Sequence, residues 1–152
     1  MRVFDAHQHL IYPEIFNYPW IDSAPALQRG FTLEQYQAIT SDFPIEASLF
    51  VEVDTHEDES AREAAHFCEL ADDSANRVTG VIAAARPEHP HFEAYLDRIS
   101  HQALKGIRRV LYAQPAGLSC SRSLRRTLSC WRSARSLSTS ASPSRSIRPA
   151  MS

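Results

Sequence analysis

Three side chains near the start of the sequence have the types and the spacing to hold a divalent cation. Val3 to Leu10 is an apolar run carrying Asp5, His7 and His9 at every second position. Side chains of a strand alternate between its two faces, so a strand here is expected to set all three on one face. Two imidazoles at i and i+2 can ligate one divalent cation through metal–nitrogen bonds of about 2.0–2.1 Å, and Asp5 is placed to orient an imidazole from behind. A pair of histidines at a strand end also serves as plain polar edge residues, and a bare His-x-His leaves both readings open. Arg108 and Arg109 stand next to each other in another apolar run, so only one can point inward. That one would offer a guanidinium fork to a substrate carboxylate or hydroxyl pair, while a salt bridge to a helix is the alternative for either. Trp20 is a pocket wall or a core residue. His56 fits a solvated helix start beside Asp54, Glu57, Asp58 and Glu59. His66, His89, His91 and His101 fall on helices or loops and receive no role, and Cys68 is read as core packing.

The elements that would position these groups follow from hydrophobic patterning. Val3 to Leu10 predicts a first strand. Residues 11 to 45 form a long connection with Pro13, Pro19, Pro25 and Pro44, and connections of this length tend to be functional. Within it, Thr32 and Gln35 have the spacing of a capping box, predicting a helix from Leu33 towards Ile39. Ala47 to Val53 is an apolar run suited to a strand covered on both faces. Glu57 to Asp72 predicts a helix with Ala61, Ala64, Ala65, Cys68 and Ala71 on its inner stripe. Val78 to Ala85 predicts a third strand, Phe92, Tyr95, Leu96 and Ile99 the apolar face of a third helix, and Gly106 to Leu111 a fourth strand. This alternation is the signature of a parallel sheet with helical crossovers. Four strands are half of an eight-stranded (β/α)8 barrel, which typically needs about 250 residues.

The segments DAHQHL, Tyr18-Pro19-Trp20-Ile21, Val51 to Asp54 (VEVD) and Lys105 to Leu111 (KGIRRVL) together resemble the amidohydrolase superfamily. Within it they are similar to the amidohydrolase-2 branch of sugar-lactone hydrolases, fuconolactone hydrolase among them, over about residues 1 to 118. The resemblance implies the N-terminal half of a TIM barrel and a hydrolase that opens a lactone by attack of water on its carbonyl. It implies His7 and His9 as ligands of a divalent metal such as zinc, with Asp5 behind them, Arg108 as the arginine turned towards a small lactone substrate with Arg109 as the other candidate, and Trp20 as a wall of the pocket. A metal would polarise the carbonyl and lower the pKa of bound water towards about 7; a metal-independent route, with His and Arg polarising the substrate directly, is also compatible. The family's later strands supply further ligands and a catalytic Asp, which would lie beyond residue 118, where this sequence has no His, Asp, Glu or Lys. The catalytic residues are therefore unassigned, and this chain is expected to have little or no activity.

Composition divides the chain at the same place. The formal net charge of -2 averages two unlike pieces, since all 18 acids lie at or before Asp97 while residues 119 to 152 hold 12 Ser, 7 Arg and no acid. Residues 1 to 118 thus read as a truncated half barrel of net charge -9, followed by a basic Ser/Arg-rich tail of net charge +7. The tail shows no amphipathic period and is expected to be disordered, the product of a frameshift in preference to an evolved arm. An acidic body argues against nucleic acid as a partner, except through that tail. A second reading is a non-enzymatic product, the ordered half binding a metal or partner weakly and the tail touching acidic surfaces. No window reaches the roughly 18–20 apolar residues of a membrane span, and Asp5 and His7 interrupt a signal-peptide core, so a cytoplasmic chain is expected. The oligomeric state is left open.

Overall fold

The computed structural model describes residues 1–112, 114, 115, 117–122, 124 and 125. Contacts divide the chain into two units, Met1–Gln114 and Pro115–Ser152. In the second, the described residues include a short helical turn at Leu118–Cys120; position 123 and positions 126–152 of the Ser/Arg-rich tail lie outside the described residues.

The first unit is a four-stranded parallel sheet in the order β1-β2-β3-β4, built from β1 (Val3–Gln8), β2 (Ile45–Val51), β3 (Val78–Ala84) and β4 (Leu104–Arg108). The crossovers carry α1 (Leu33–Ile39), α2 (Ser60–Asp72) and α3 (Phe92–Arg98). The sheet order follows chain order, as it does in the wall of a parallel barrel, so the α/β architecture expected from the alternation is the one observed. No helix among the described residues is long and apolar enough to cross a membrane.

The boundaries move for physical reasons. β2 begins two residues before the expected Ala47, since the Val3 amide donates to the Pro44 carbonyl at 3.0 Å and Val3 pairs with Ile45. β4 starts at Leu104 rather than Gly106, because Leu104 is buried and pairs with Val81. Arg109, Val110 and Leu111 follow the strand. In the Glu57–Asp72 segment, the acidic run Glu57–Glu59 forms a 3-10 turn before the α-helix begins at Ser60. The buried face of α2 consists of Ala61, Glu63, Ala64, Phe67 and Cys68, with Ala65 outside it. The inner stripe is turned towards Phe67, whose ring stacks on Phe50 of β2 at 3.4 Å between centroids. Cys68 packs in this core, and burial pushes its thiol up to about 11.

The capping box at the start of α1 is present in both directions. Thr32 accepts from the Gln35 amide, and the Gln35 side chain accepts from the Thr32 amide at 3.0 Å. The long connection that carries α1 is tied to the sheet end by a bridge between Ile11 and Phe31 and by the Tyr12 hydroxyl, which accepts from the Leu33 amide at 2.9 Å.

Candidate functional site

The register of β1 decides where its polar residues go. Asp5 pairs with Ser48 and Gln8 with Phe50, so three steps along β1 answer two along β2. The extra residue breaks the simple alternation that would set Asp5, His7 and His9 on one face. Asp5 meets α1, its carboxylate accepting from the Tyr36 hydroxyl at 2.7 Å and from the His7 backbone amide at 3.1 Å. It therefore fixes the backbone at His7 and the seating of α1, and these two hydrogen bonds reach neither imidazole. Gln8 is buried and accepts from the Ser48 hydroxyl at 3.0 Å.

The two imidazoles converge. His7 Nε2 and His9 Nε2 lie 3.1 Å apart, and His9 Nδ1 lies 2.8 Å from the Val51 carbonyl oxygen. A carbonyl only accepts, so His9 Nδ1 carries a proton, and in the neutral ring Nε2 keeps its lone pair and can accept from His7 Nε2. Partial burial is the main cause that lowers the His9 pKa, opposed by the Val51 bond and helped by His7 and Arg108. A neutral His9 with its far nitrogen anchored and its near nitrogen unprotonated is the arrangement metal-binding histidines use. Two nitrogens bound to one tetrahedral ion at about 2.0–2.1 Å stand roughly 3.3 Å apart. The pair thus fits two positions of a cation site. Among the described residues no third His, Cys, Asp or Glu joins them in a metal-binding group.

The carboxyl end of β2 is the post on which the other predicted side chains hang. His9 Nδ1 donates to the carbonyl of Val51, Arg108 Nη1 to that of Glu52 at 3.1 Å, and Trp20 Nε1 to that of Val53 at 2.8 Å. Three consecutive carbonyls therefore collect side chains from the residue after β1, from β4 and from the long connection. The chain then turns at Asp54, a non-glycine residue with φ 54, a left-handed conformation that Asp tolerates better than most.

Two buried carboxyl groups hold this turn from behind. Glu52 is 1% exposed and its Oε2 accepts from the Asp54 amide at 2.7 Å; Glu63, on α2, is 0% exposed and its Oε1 accepts from the Val53 amide at 3.4 Å. Burial, followed by the charge of Glu52, pushes Glu63 up to about 8. Burial also raises Glu52, against the opposing pull of the Asp54 amide and Arg108. The sequence reading gave neither glutamate a role. The available signal was a Glu inside the apolar run FVEV and another among the small residues of α2.

The adjacent arginines part company. Arg109 is held by Glu88, with Nε 2.9 Å and Nη2 2.6 Å from Oε1, and little of it is exposed. Arg108 keeps 38% of its side chain exposed, with Nη1 3.2 Å from Glu52 Oε1. Trp20 and His9 line an apolar cleft of about 410 Å³ together with Leu27, Phe31 and Val53. A smaller cavity of about 90 Å³ lies where β2, β3 and β4 end, lined by Glu52, Thr55, Tyr95 and Arg108 among others. His89 and His91 also line it, a position the sequence reading did not anticipate. His56 is exposed beside Asp58, His66 packs against Tyr12, Phe16 and Phe67, and His101 lies 3.3 Å from Asp72.

No family model matches the sequence, and no curated protein matches it. Solved structures do match the fold. An amidohydrolase from Burkholderia multivorans with bound zinc superposes with a TM-score of 0.70 at 21% identity, over 88% of this chain and 46% of that one. The same amidohydrolase with bound HEPES gives a TM-score of 0.71 at 21% identity over the same shares. Amidohydrolase 2 from Bifidobacterium longum subsp. infantis gives 0.64 at 18% identity, over 88% of this chain and 49% of that one. The chain spans a little under half the length of these proteins, and over that span it has the fold of the amidohydrolase barrels.

Proposed function

We propose that this chain carries part of the active site of an amidohydrolase-type hydrolase acting on the ester bond of a sugar lactone or related carboxylated lactone. The observation that carries the reading is the convergence of His7 Nε2 and His9 Nε2 at 3.1 Å, with His9 locked through Nδ1 onto Val51 at the carboxyl end of the sheet. Parallel barrels build their sites at that end. His7 and His9 are the residues that would hold a divalent cation such as zinc. A cation there would supply Lewis acidity towards the lactone carbonyl and water.

The chain's own residues do the rest. Val51 keeps His9 in the tautomer whose Nε2 accepts or ligates. Arg108 presents the edge of its guanidinium not used on Glu52 to a substrate carboxylate or hydroxyl pair. Trp20, steered by its bond to Val53, walls the apolar cleft beside His9. Two imidazoles are fewer than the three protein ligands of a usual catalytic zinc site, so cation uptake is the primary readout and turnover the secondary one.

Equilibrium dialysis of the chain against zinc or cobalt tests this. One cation per chain is expected, with at least about tenfold weaker uptake after His7→Ala or His9→Ala, the scale seen when support of a metal site is lost. Uptake that neither substitution weakens would discard the assignment. A panel of sugar lactones followed by acid release tests the reaction itself.

A further inference from the structure

The small cavity at the ends of β2, β3 and β4 has features that the fold does not use. Glu52 and Thr55 are 1% and 4% exposed, yet Glu52 Oε1 and Thr55 Oγ1 have no hydrogen-bond partner, and both residues line the cavity. Glu52 Oε1 is 3.2 Å from Arg108 Nη1, in a geometry that makes an ion pair and no hydrogen bond. Buried polar atoms are nearly always satisfied, and an exception calls for a missing partner. Two exceptions on residues that line one cavity point to the same partner.

The chemistry of that partner follows from what is free. Three guanidinium groups line the cavity, but Arg86 is paired with Glu57 at 3.0 Å and Arg109 with Glu88. Arg108 spends only Nη1, on Glu52, so among the described residues its remaining edge is uncommitted. That edge suits a carboxylate. Glu52 Oε1 and Thr55 Oγ1 suit a hydroxyl, which can donate to the first and exchange a hydrogen bond with the second. The lining charges nearly balance, which disfavours a bare polyanion. With about 10–15 Å³ of such volume per water-sized group, a cavity of about 90 Å³ holds a molecule of three or four carbons.

We propose that this cavity binds a small hydroxycarboxylate, its carboxylate on Arg108 and its hydroxyl between Glu52 and Thr55. The proposal deepens the hydrolase reading, because opening a lactone yields a hydroxycarboxylate and Arg108 is common to both. It does not depend on turnover. Glycerate binding without lactone hydrolysis or cation uptake discards the hydrolase reading alone, and the converse result discards this one alone.

The probe is glycerate, with propionate as the control that keeps the carboxylate and lacks hydroxyls, each titrated calorimetrically into the full chain. Glycerate is expected to bind saturably and at least about tenfold more tightly than propionate, the discrimination of roughly one good hydrogen-bonded pair. Thr55→Val should shrink that preference several-fold while leaving thermal stability unchanged or raised, since it removes a buried hydroxyl with no partner. Equal binding of the two acids, no saturable glycerate binding, or an undiminished preference in Thr55→Val would overturn the proposal. So would a Thr55→Val chain that melts lower, because the hydroxyl would then serve the fold.

Discussion

Glu63 has no exposed surface, and one of its oxygens has no hydrogen-bond partner. Its carboxyl is pushed from 4.5 up to about 8, by burial first and Glu52 second. A group raised in the fold binds its proton there over a range in which the unfolded chain has lost it. Its contribution to stability is complete below about 4.5 and is lost as pH rises through about 8. The protein is therefore expected to melt progressively lower across that window. Glu63→Gln, which never ionises, should flatten the fall and stabilise the fold at pH 8 by on the order of 1–3 kcal/mol. Glu52 shifts in the same direction and leaves some slope behind. A Glu63→Gln melting curve that tracks the parent across pH would remove Glu63 from this account. At this scale the sequence was only partly readable. The histidine pair stood out because alternation within one short segment is local. The fates of Arg108 and Arg109 needed Glu52 and Glu88, contributed by other elements.

Helices and strands were more legible, because their determinants lie within a few residues of one another. The Thr32–Gln35 box is an example: both reciprocal bonds form where the spacing places them. Helix α1 is only seven residues long, too short to be stable without its cap and its packing. Thr32→Ala is expected to cost about 1 kcal/mol, read as a lower urea midpoint at unchanged slope. Because Tyr36 of this helix bonds Asp5, amide exchange at His7 should quicken in the same variant. An unchanged midpoint would mean that Tyr36 and the Ile11–Phe31 bridge hold the helix without its cap. The β1 irregularity was the feature that strand periodicity misplaced. Alternation assumes one residue per step on both strands, whereas β1 spends an extra one between Asp5 and Gln8. That single residue sends the Asp5 carboxylate to Tyr36, away from the role of supporting an imidazole.

On the scale of the whole sheet, β1 and β4 each have one neighbour among the described strands. Their outer edges present backbone donors and acceptors without a strand partner, a template for association. Phe4 on β1 is 55% exposed, and Phe43, just before β2, is 62% exposed. Apolar groups beside an open edge favour self-association. Light scattering on the purified chain should show mass rising with concentration, and Phe4→Lys should weaken that rise several-fold. A monodisperse monomer at all concentrations would refute the expectation. The barrel-like order of the sheet was legible from the alternation of strand and helix, since parallel strands require crossovers. The carbonyl post at the end of β2 was not, because backbone oxygens leave no mark in a sequence. That same invisibility has an evolutionary consequence. His9, Arg108 and Trp20 are anchored to groups that every residue possesses, so no substitution at Val51, Glu52 or Val53 can delete the acceptors themselves. Any substitution there that leaves the strand intact leaves the acceptors in place, and the anchoring of three site residues is inherited with the backbone.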